Sequence, residues 1–231
     1  MYSHMKCAVL FSGGKDSCLA LHKAKQEGYE ICYLLTIIPD NFDSFMFHKP
    51  YLNLLEKQAE MLGLKDKLII VKSKGEKEKE LKDLKLLINK VKGKVKGIIV
   101  GGIASNYQGD RIKKICDELD LEFIAPLLNY KGEEVWKELF KKKFKVILTK
   151  IACDGLSEKW IGKIISKKEF EELKRLAEKY KFRIDFEGGE AESTVLFMPE
   201  FKKQIKIKFN IQSEGKYRHW IDELKIKEDK A

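Results

Sequence analysis

The stretch of this 231-residue chain best suited to chemistry is Ser12-Gly13-Gly14-Lys15-Asp16-Ser17. It follows an apolar run, Met5 to Phe11, and opens a helical one, Lys15 to Glu27. Two glycines let the backbone turn tightly and come close to a ligand with no Cβ in the way. The start of a helix adds N–H groups without intrahelical partners and the positive end of a dipole. The turn therefore reads as an anion site, reinforced by two hydroxyls and the Lys15 ammonium. Asp16 is a poor phosphate neighbour by itself, so its presence points to a bound Mg²⁺ or to capping of the helix. The spacing is neither the GxxxxGK[ST] loop of common NTPases nor a GxGxxG dinucleotide fingerprint.

Other polar clusters say less. Glu187, Glu190 and Glu192 stand beside Gly188 and Gly189, where they make either a cation site or a solvated turn before a strand. Gln108 and Arg111, three apart, share one face of a helix, turned to a crevice or to solvent. His48, between Phe47 and the nearby Pro50, has the surroundings of a packed residue. The five cysteines form no C-x-x-C pair, which fits a reducing compartment and small buried hydrophobes rather than disulfides or a zinc knuckle.

The elements that must hold these residues alternate in the first half. Ile31 to Ile38, Leu68 to Val71, Gly97 to Val100 and Glu122 to Ala125 read as strands. Helix-period residues lie between them: Leu52, Leu55, Ala59 and Leu62, then Leu81, Leu84, Leu87, Ile88 and Val91, then a helix running to about Leu119. Ser73 with Glu76, and Ser105 with Gln108, read as capping boxes. Strands apolar throughout and separated by helices are the pattern of a parallel sheet covered on both faces, whose crevice opens where the loop sits. Pro126 marks a boundary between units 1–126 and 127–231. The second half holds a helix from Glu133 to Lys142, a strand from Val146 to Ile151, and a helix capped by Ser166 and Glu169 that runs to Tyr180. After these come a strand from Thr194 to Met198 and a segment alternating Ile205, Ile207, Phe209 and Ile211. A turn at Ser213 to Lys216, a last strand near Tyr217 to Trp220 and a frayed charged tail complete it.

Composition narrows the class. At 44 % hydrophobic and 35 % charged, the chain is too apolar for a disordered protein, and no run approaches the roughly 20 apolar residues of a membrane helix. A cytoplasmic, membrane-free protein is expected. The +10 charge comes from 42 Lys and only 4 Arg, with 21 basic and 17 acidic residues before position 129 and 25 and 19 after it. Spread so evenly and so poor in Arg, it reads as a solvated surface of the Lys-rich thermophile type rather than a nucleic-acid footprint.

The loop carries a resemblance. SGGKDS after a first strand is similar to the signature of the PP-loop ATP pyrophosphatases, which cleave ATP to AMP and pyrophosphate. Within that superfamily the chain resembles the diphthine–ammonia ligase family over nearly all of residues 6–210. The further matches are Ser44-Phe45-Met46-Phe47-His48, Gly75 to Glu80, Gly101-Gly102-Ile103-Ala104-Ser105 with Tyr107, Gln108 and Arg111, and Glu187 to Ser193. Ala191 departs from an aromatic common in the family, and Cys153-Asp154 from small residues and Glu.

The resemblance implies an α/β fold: a HUP-like (Rossmann-like) doubly wound parallel sheet of five strands, with a smaller C-terminal α+β domain that meets the substrate. It implies ATP with Mg²⁺, ammonium, and diphthine-modified translation elongation factor 2 as protein substrate; it leaves a homodimer open. Carried over residue by residue, Ser12, Gly13, Gly14, Lys15, Asp16 and Ser17 would hold the departing pyrophosphate, with Lys15 and Asp16 catalytic and Asp16 on the metal. Adenine is expected at the backbone of Leu35, Thr36 and Ile37, and Gly101 and Gly102 should leave room for ribose. Ser44, His48, Gln108, Arg111, Gly189, Glu190 and Glu192 are the substrate-side expectations. Two other readings stand beside this one, a PP-loop enzyme that modifies tRNA and a nucleotide-binding protein without chemistry. Scarce Arg and the lack of a catalytic Cys pair weigh against the first, the acidic motif against the second.

Overall fold

A computed structural model describes residues 4–39, 51–73, 77–102 and 106–227, the side chains of 77–79 and 106–108 excepted. The chain divides into two compact units, Met1–Leu128 and Asn129–Ala231. In the first, strands β1 (Lys6–Leu10), β2 (Glu30–Pro39), β3 (Leu68–Ser73), β4 (Gly97–Ile99) and β5 (Glu122–Ile124) alternate with helices. These are α1 (Lys15–Gln26), α2 (Leu52–Met61), α3 (Lys77–Asn89) and α4 (Asn106–Glu118). All strand pairs are parallel, in the order β3-β2-β1-β4-β5.

That order is a consequence of handedness. Right-handed crossovers from β1 through β3 put α1 and α2 on one face, and the reversal of direction at β4 sends α3 and α4 to the other. The strands must then be apolar on both sides. Ala8, Leu35, Ile37 and Ile98 pack with Leu84, Leu87 and Ile88 of α3 and Ile112, Ile115 and Cys116 of α4, while alternation turns the buried Cys7, Val9 and Leu34 the opposite way. The switch in strand order falls between β1 and β4, where Cys7 faces Gly97 and Val9 faces Ile99. A doubly wound sheet opens its crevice at such a point.

The second unit is α+β. Strands β6 (Lys145–Ala152), β7 (Ala191–Phe197), β8 (Ile207–Glu214) and β9 (Arg218–Ile226) form an antiparallel sheet in the order β7-β6-β9-β8, accompanied by α5 (Gly132–Lys141) and α6 (Lys167–Tyr180). Trp136 of α5, fully buried, meets Phe170 of α6 with ring centroids 5.5 Å apart and donates its indole N–H to the Ile184 carbonyl at 2.9 Å. The expected Ser166 box is formed: Lys168 N–H reaches the Ser166 hydroxyl at 3.2 Å, and the Glu169 carboxylate accepts from the Ser166 backbone N–H and from its hydroxyl.

Three readings change. The last strand continues to Ile226 instead of fraying after Trp220, because Ile221 and Leu224 are buried and a bulge opposite Phe209–Ile211 keeps both apolar sets on the core side. Ile205 is buried but precedes β8, and Ile211 is exposed. In α2 the buried positions are Leu54, Leu55, Gln58 and Ala59, leaving Leu52 46 % exposed. Glu76 and Ser105, halves of the other two boxes, lie outside the described residues. Among the described residues no helix is long and apolar enough to cross a membrane.

Bonds from Ser166 and Lys163 hold the Glu169 carboxyl down at about 2. A carboxyl depressed by the fold stabilises it above its ordinary value of 4.5 and ceases to as pH falls toward 2. Ser166→Ala is expected to cost about 1 kcal/mol at neutral pH. In urea titrations the gap to wild type should narrow, without vanishing, as pH is lowered through that window; a constant gap would detach the hydroxyl from Glu169.

Candidate active site

The loop after β1 is built from backbone. Gly13 has φ +74°, a left-handed conformation that L side chains rarely adopt, and a Cβ there would overlap the Gln58 carboxamide. Gly14 is the N-cap of α1, and among the described residues no side chain caps it. The capping role considered for Asp16 is thus not taken up. Asp16 sits in the first turn, where a carboxylate suits the dipole, and its Oδ2 accepts from Lys15 Nζ at 2.6 Å. Lys15 is only 3 % exposed, which makes its ammonium a charge held in a sheltered site rather than a mobile surface one.

Four weak bonds draw the turn together. Ser12 Oγ lies 3.2 Å from Ser17 Oγ and accepts the Gly14 N–H at 3.3 Å, while Ser17 Oγ accepts the Ser12 N–H at 3.3 Å and donates to the Gly14 carbonyl at 3.2 Å. These lengths exceed the usual 2.9–3.0 Å for an N–H donor, so an anionic oxygen placed among the donors would replace them at little cost.

The side chains of the second strand are taken up by the protein itself. Leu35 and Ile37 are core side chains, and Thr36 is buried with its hydroxyl donating to the Phe11 carbonyl at 2.6 Å. What remains for an adenine is backbone. β1 pairs with β2 only as far as Leu10 and Leu35, with Phe11 N–H reaching the Leu35 carbonyl at 2.8 Å. Alternation turns the N–H and C=O of Ile37 to that same edge, beyond the point where β1 has left the sheet.

Gly101 follows β4, and its space is already filled. A Cβ there would stand 2.6 Å from Ser17 N and 2.7 Å from Asp16 C. Its lack of a side chain lets two backbone segments touch and makes no room for a sugar; Gly102 beside it is exposed. The loop, the first turn of α1 and Gly101 are therefore brought together. Arg111 is half-buried on α4, which also carries Gln108. Ser44 and His48 lie outside the described residues.

In the second unit Glu190 holds its own loop, its carboxylate accepting the N–H groups of Arg183 at 3.0 Å and Gly188 at 2.9 Å. Glu192 pairs with Lys150 at 3.1 Å across the β6–β7 ladder. Gly189, at φ +85°, is exposed, and Ala191 is buried opposite Ile151. Burial pushes the thiols of Cys7 and Cys116 up to about 12 and of Cys153 to about 11, so none of the three is a nucleophile near neutral pH.

One residue escaped the sequence reading. Gln58 is 1 % exposed and donates its carboxamide N–H to the Gly13 carbonyl at 3.0 Å. The signal was a polar residue three and four positions after Leu55 and Leu54, inside the apolar stripe of an amphipathic helix.

Comparison with known proteins is consistent along the chain. The family model for the diphthamide synthase N-terminal domain matches residues 5–123 and that for the diphthamide synthase C-terminal domain matches 131–230. Proteins named diphthine–ammonia ligase are similar: that of Mus musculus is 30 % identical over 223 residues, with 88 % of this chain and 83 % of that protein covered. The Homo sapiens protein is 31 % identical over 221 residues, with 87 % and 82 % covered. The longer Schizosaccharomyces pombe protein is 31 % identical over 219 residues, with 87 % and 36 % covered. A solved structure titled as a predicted subunit of tRNA methyltransferase from Methanocaldococcus jannaschii DSM overlays with a TM-score of 0.44 at 18 % identity, covering 87 % of this chain and 100 % of that one, a likeness too loose to argue from.

Gly101→Ala should force the start of α1 away from β4. It is expected to destabilise the chain by about 1–3 kcal/mol, as overpacking does. A melting temperature equal to wild type would show that the helix can move without cost.

Proposed function

The chain belongs to the diphthamide synthase (diphthine–ammonia ligase) family, and we propose that it is an ATP-dependent ligase forming a C–N bond on the diphthine of translation elongation factor 2. The observation that carries this reading is the loop: side-chain-free turns, an α1 start that no described side chain caps, and one buried ammonium, all at the switch point of a parallel sheet.

The chemistry explains why such a loop is needed. A carboxylate does not react with ammonia, because its carbon is a poor electrophile and oxide a poor leaving group. Attack of the diphthine carboxylate on the α-phosphorus of ATP forms an acyl–adenylate and breaks the bond to pyrophosphate. Ammonia, from ammonium that has lost a proton, then attacks the acyl carbon; AMP departs with the bonding pair, the nitrogen gives a second proton to solvent, and the neutral amide remains. Negative charge gathers on the departing pyrophosphate in the first step. The N–H groups of the loop, the hydroxyls of Ser12 and Ser17 and the Lys15 ammonium are where that charge would be met. Mg²⁺ suits a site with one carboxylate and phosphate oxygens, so Asp16 would hold it, and the ion would neutralise phosphate charge.

Ile37 would read the adenine edge with its backbone, with Leu35 and Thr36 shaping the strand that presents it. Gln108 and Arg111 would belong to the substrate side of the crevice, together with Ser44 and His48. In the second unit Gly189, Glu190 and Glu192, with Glu187, would attract the trimethylammonium of diphthine or ammonium itself. The two backbone bonds that fix Glu190 favour this, because a cation meets a carboxylate already in place. A translation factor as substrate places the protein in the cytoplasm.

Incubation with ATP, Mg²⁺, ammonium and diphthine-bearing elongation factor 2 should give AMP and pyrophosphate in equal amounts, only when the factor is present, with the factor's carboxyl converted to amide. Release of ADP, or equal stimulation by tRNA alone, would overturn the reading. Asp16→Ala is expected to lower turnover by about 10²–10³-fold, as loss of a charge-positioning group does, with an unchanged circular-dichroism spectrum; full AMP production by this variant would remove Asp16 from the reaction.

A further inference from the structure

We infer that Gln58 is a positioning residue that aims the loop's backbone at pyrophosphate, an inference that rests on the ATP reading above. Its carboxamide N–H donates to the Gly13 carbonyl at 3.0 Å, across 45 residues of sequence and with the side chain almost wholly buried. A trans peptide is planar, with C=O and N–H pointing in opposite directions. Fixing the Gly13 carbonyl on α2 therefore fixes the Gly14 N–H on the other side, where it meets Ser12 Oγ at 3.3 Å.

The peptide two residues earlier is held in the same manner. Thr36 fixes the Phe11 carbonyl at 2.6 Å, and the Ser12 N–H on its far side meets Ser17 Oγ at 3.3 Å. Both aimed N–H groups thus end on one hydroxyl pair, Ser12 and Ser17, 3.2 Å apart. Thr36 fixes the start of the loop from the sheet, and Gln58 fixes its glycine turn from a helix. Gln58 also restrains the conformational freedom that Gly13 brings, because a glycine at φ +74° tolerates either sign of φ.

Two properties distinguish aiming from simple filling. The bond acts on an N–H that, on the ATP reading, would meet the departing pyrophosphate, so it should matter for ATP and pyrophosphate and not for AMP. It also needs a donor at position 58, and a carboxylic acid is one only while protonated. In calorimetry on the full chain, Gln58→Met, a close fit in volume, should bind Mg-pyrophosphate and Mg-ATP about ten-fold more weakly, the worth of one aimed hydrogen bond, with AMP affinity within about two-fold of wild type. For Gln58→Glu, the affinity for Mg-pyrophosphate relative to wild type at the same pH should fall as pH rises and the carboxyl loses its proton. Taking the ratio removes the titration of pyrophosphate itself.

Equal weakening for AMP and pyrophosphate, or a pH-independent ratio for Gln58→Glu, would reduce Gln58 to packing and overturn the inference. If wild type binds Mg-ATP and both variants match it, only this inference fails; if wild type binds neither Mg-ATP nor pyrophosphate, the ATP reading fails and this inference with it. Should Gln58→Met melt at the assay temperature, the pH ratio of Gln58→Glu decides.

Discussion

Backbone has to touch backbone at the carboxyl ends of β1 and β4, and everything else in the first unit answers to that contact. A Cβ at Gly101 would fall 2.6 Å from the Ser17 nitrogen, so the connection leaving β4 runs against the first turn of α1 with nothing between them. The parallel pairing of β1 with β4 brings the two connections side by side. Right-handed winding then sends their helices to opposite faces, which is what leaves the strand ends open. A single side chain at this place would separate the loop from the sheet that orients it. The N-cap of α1 is itself a glycine, so among the described residues the helix begins with no side-chain cap.

Much of this was legible, because it depends on period and on residues with special backbone chemistry. The five strands are continuous apolar runs, and the helices between them repeat at three and four, so the layers follow from pattern. Gly13 and Gly14 announce a tight turn, and Ser166 with Glu169 announces a helix start, since each acts within a few residues of itself. Where reading failed, the reason was a partner distant in sequence. Gly101 looks like room for a ligand until the neighbour that fills the room is known to be Asp16–Ser17. Thr36 is read from the sequence for its backbone alone, though its hydroxyl serves a carbonyl 25 residues earlier. Leu52 fits the helical stripe with Leu55 and Ala59, yet it is Leu54 that is buried beside them and Leu52 that is exposed. The tail beyond Trp220 looks frayed by charge, yet it stays paired with β8 as far as Ile226, with Ile221 and Leu224 buried.

The second unit shows how differently acidic groups can be used. Glu169 is a structural charge, held well below its ordinary range by a hydroxyl and an ammonium at the start of α6. Glu192 is half of a cross-strand pair with Lys150, side chains 16 % and 20 % exposed, so its charge is balanced before any ligand arrives. Glu190 accepts two backbone N–H groups, which orient its carboxylate, and its charge also acts on the Arg183 guanidinium. All three look alike in a list of acids, and each is held by a different set of partners.

A loop made of peptide groups is suited to a reaction whose difficult moment is the departure of a highly charged leaving group. Water could stabilise pyrophosphate as well as any protein can, but only after its molecules had turned to face the new charge. Donors fixed beforehand make no such rearrangement, and that difference is what lowers a barrier. Fixing them requires that the opposite end of each peptide be tied down. The ties at Phe11 and Gly13 are buried, at 2.6 Å and 3.0 Å, whereas the N–H groups on the far side of those two peptides bond at 3.3 Å. Stronger bonds behind and weaker bonds in front would leave a surface that is rigid and yet available to the leaving group of the proposed reaction.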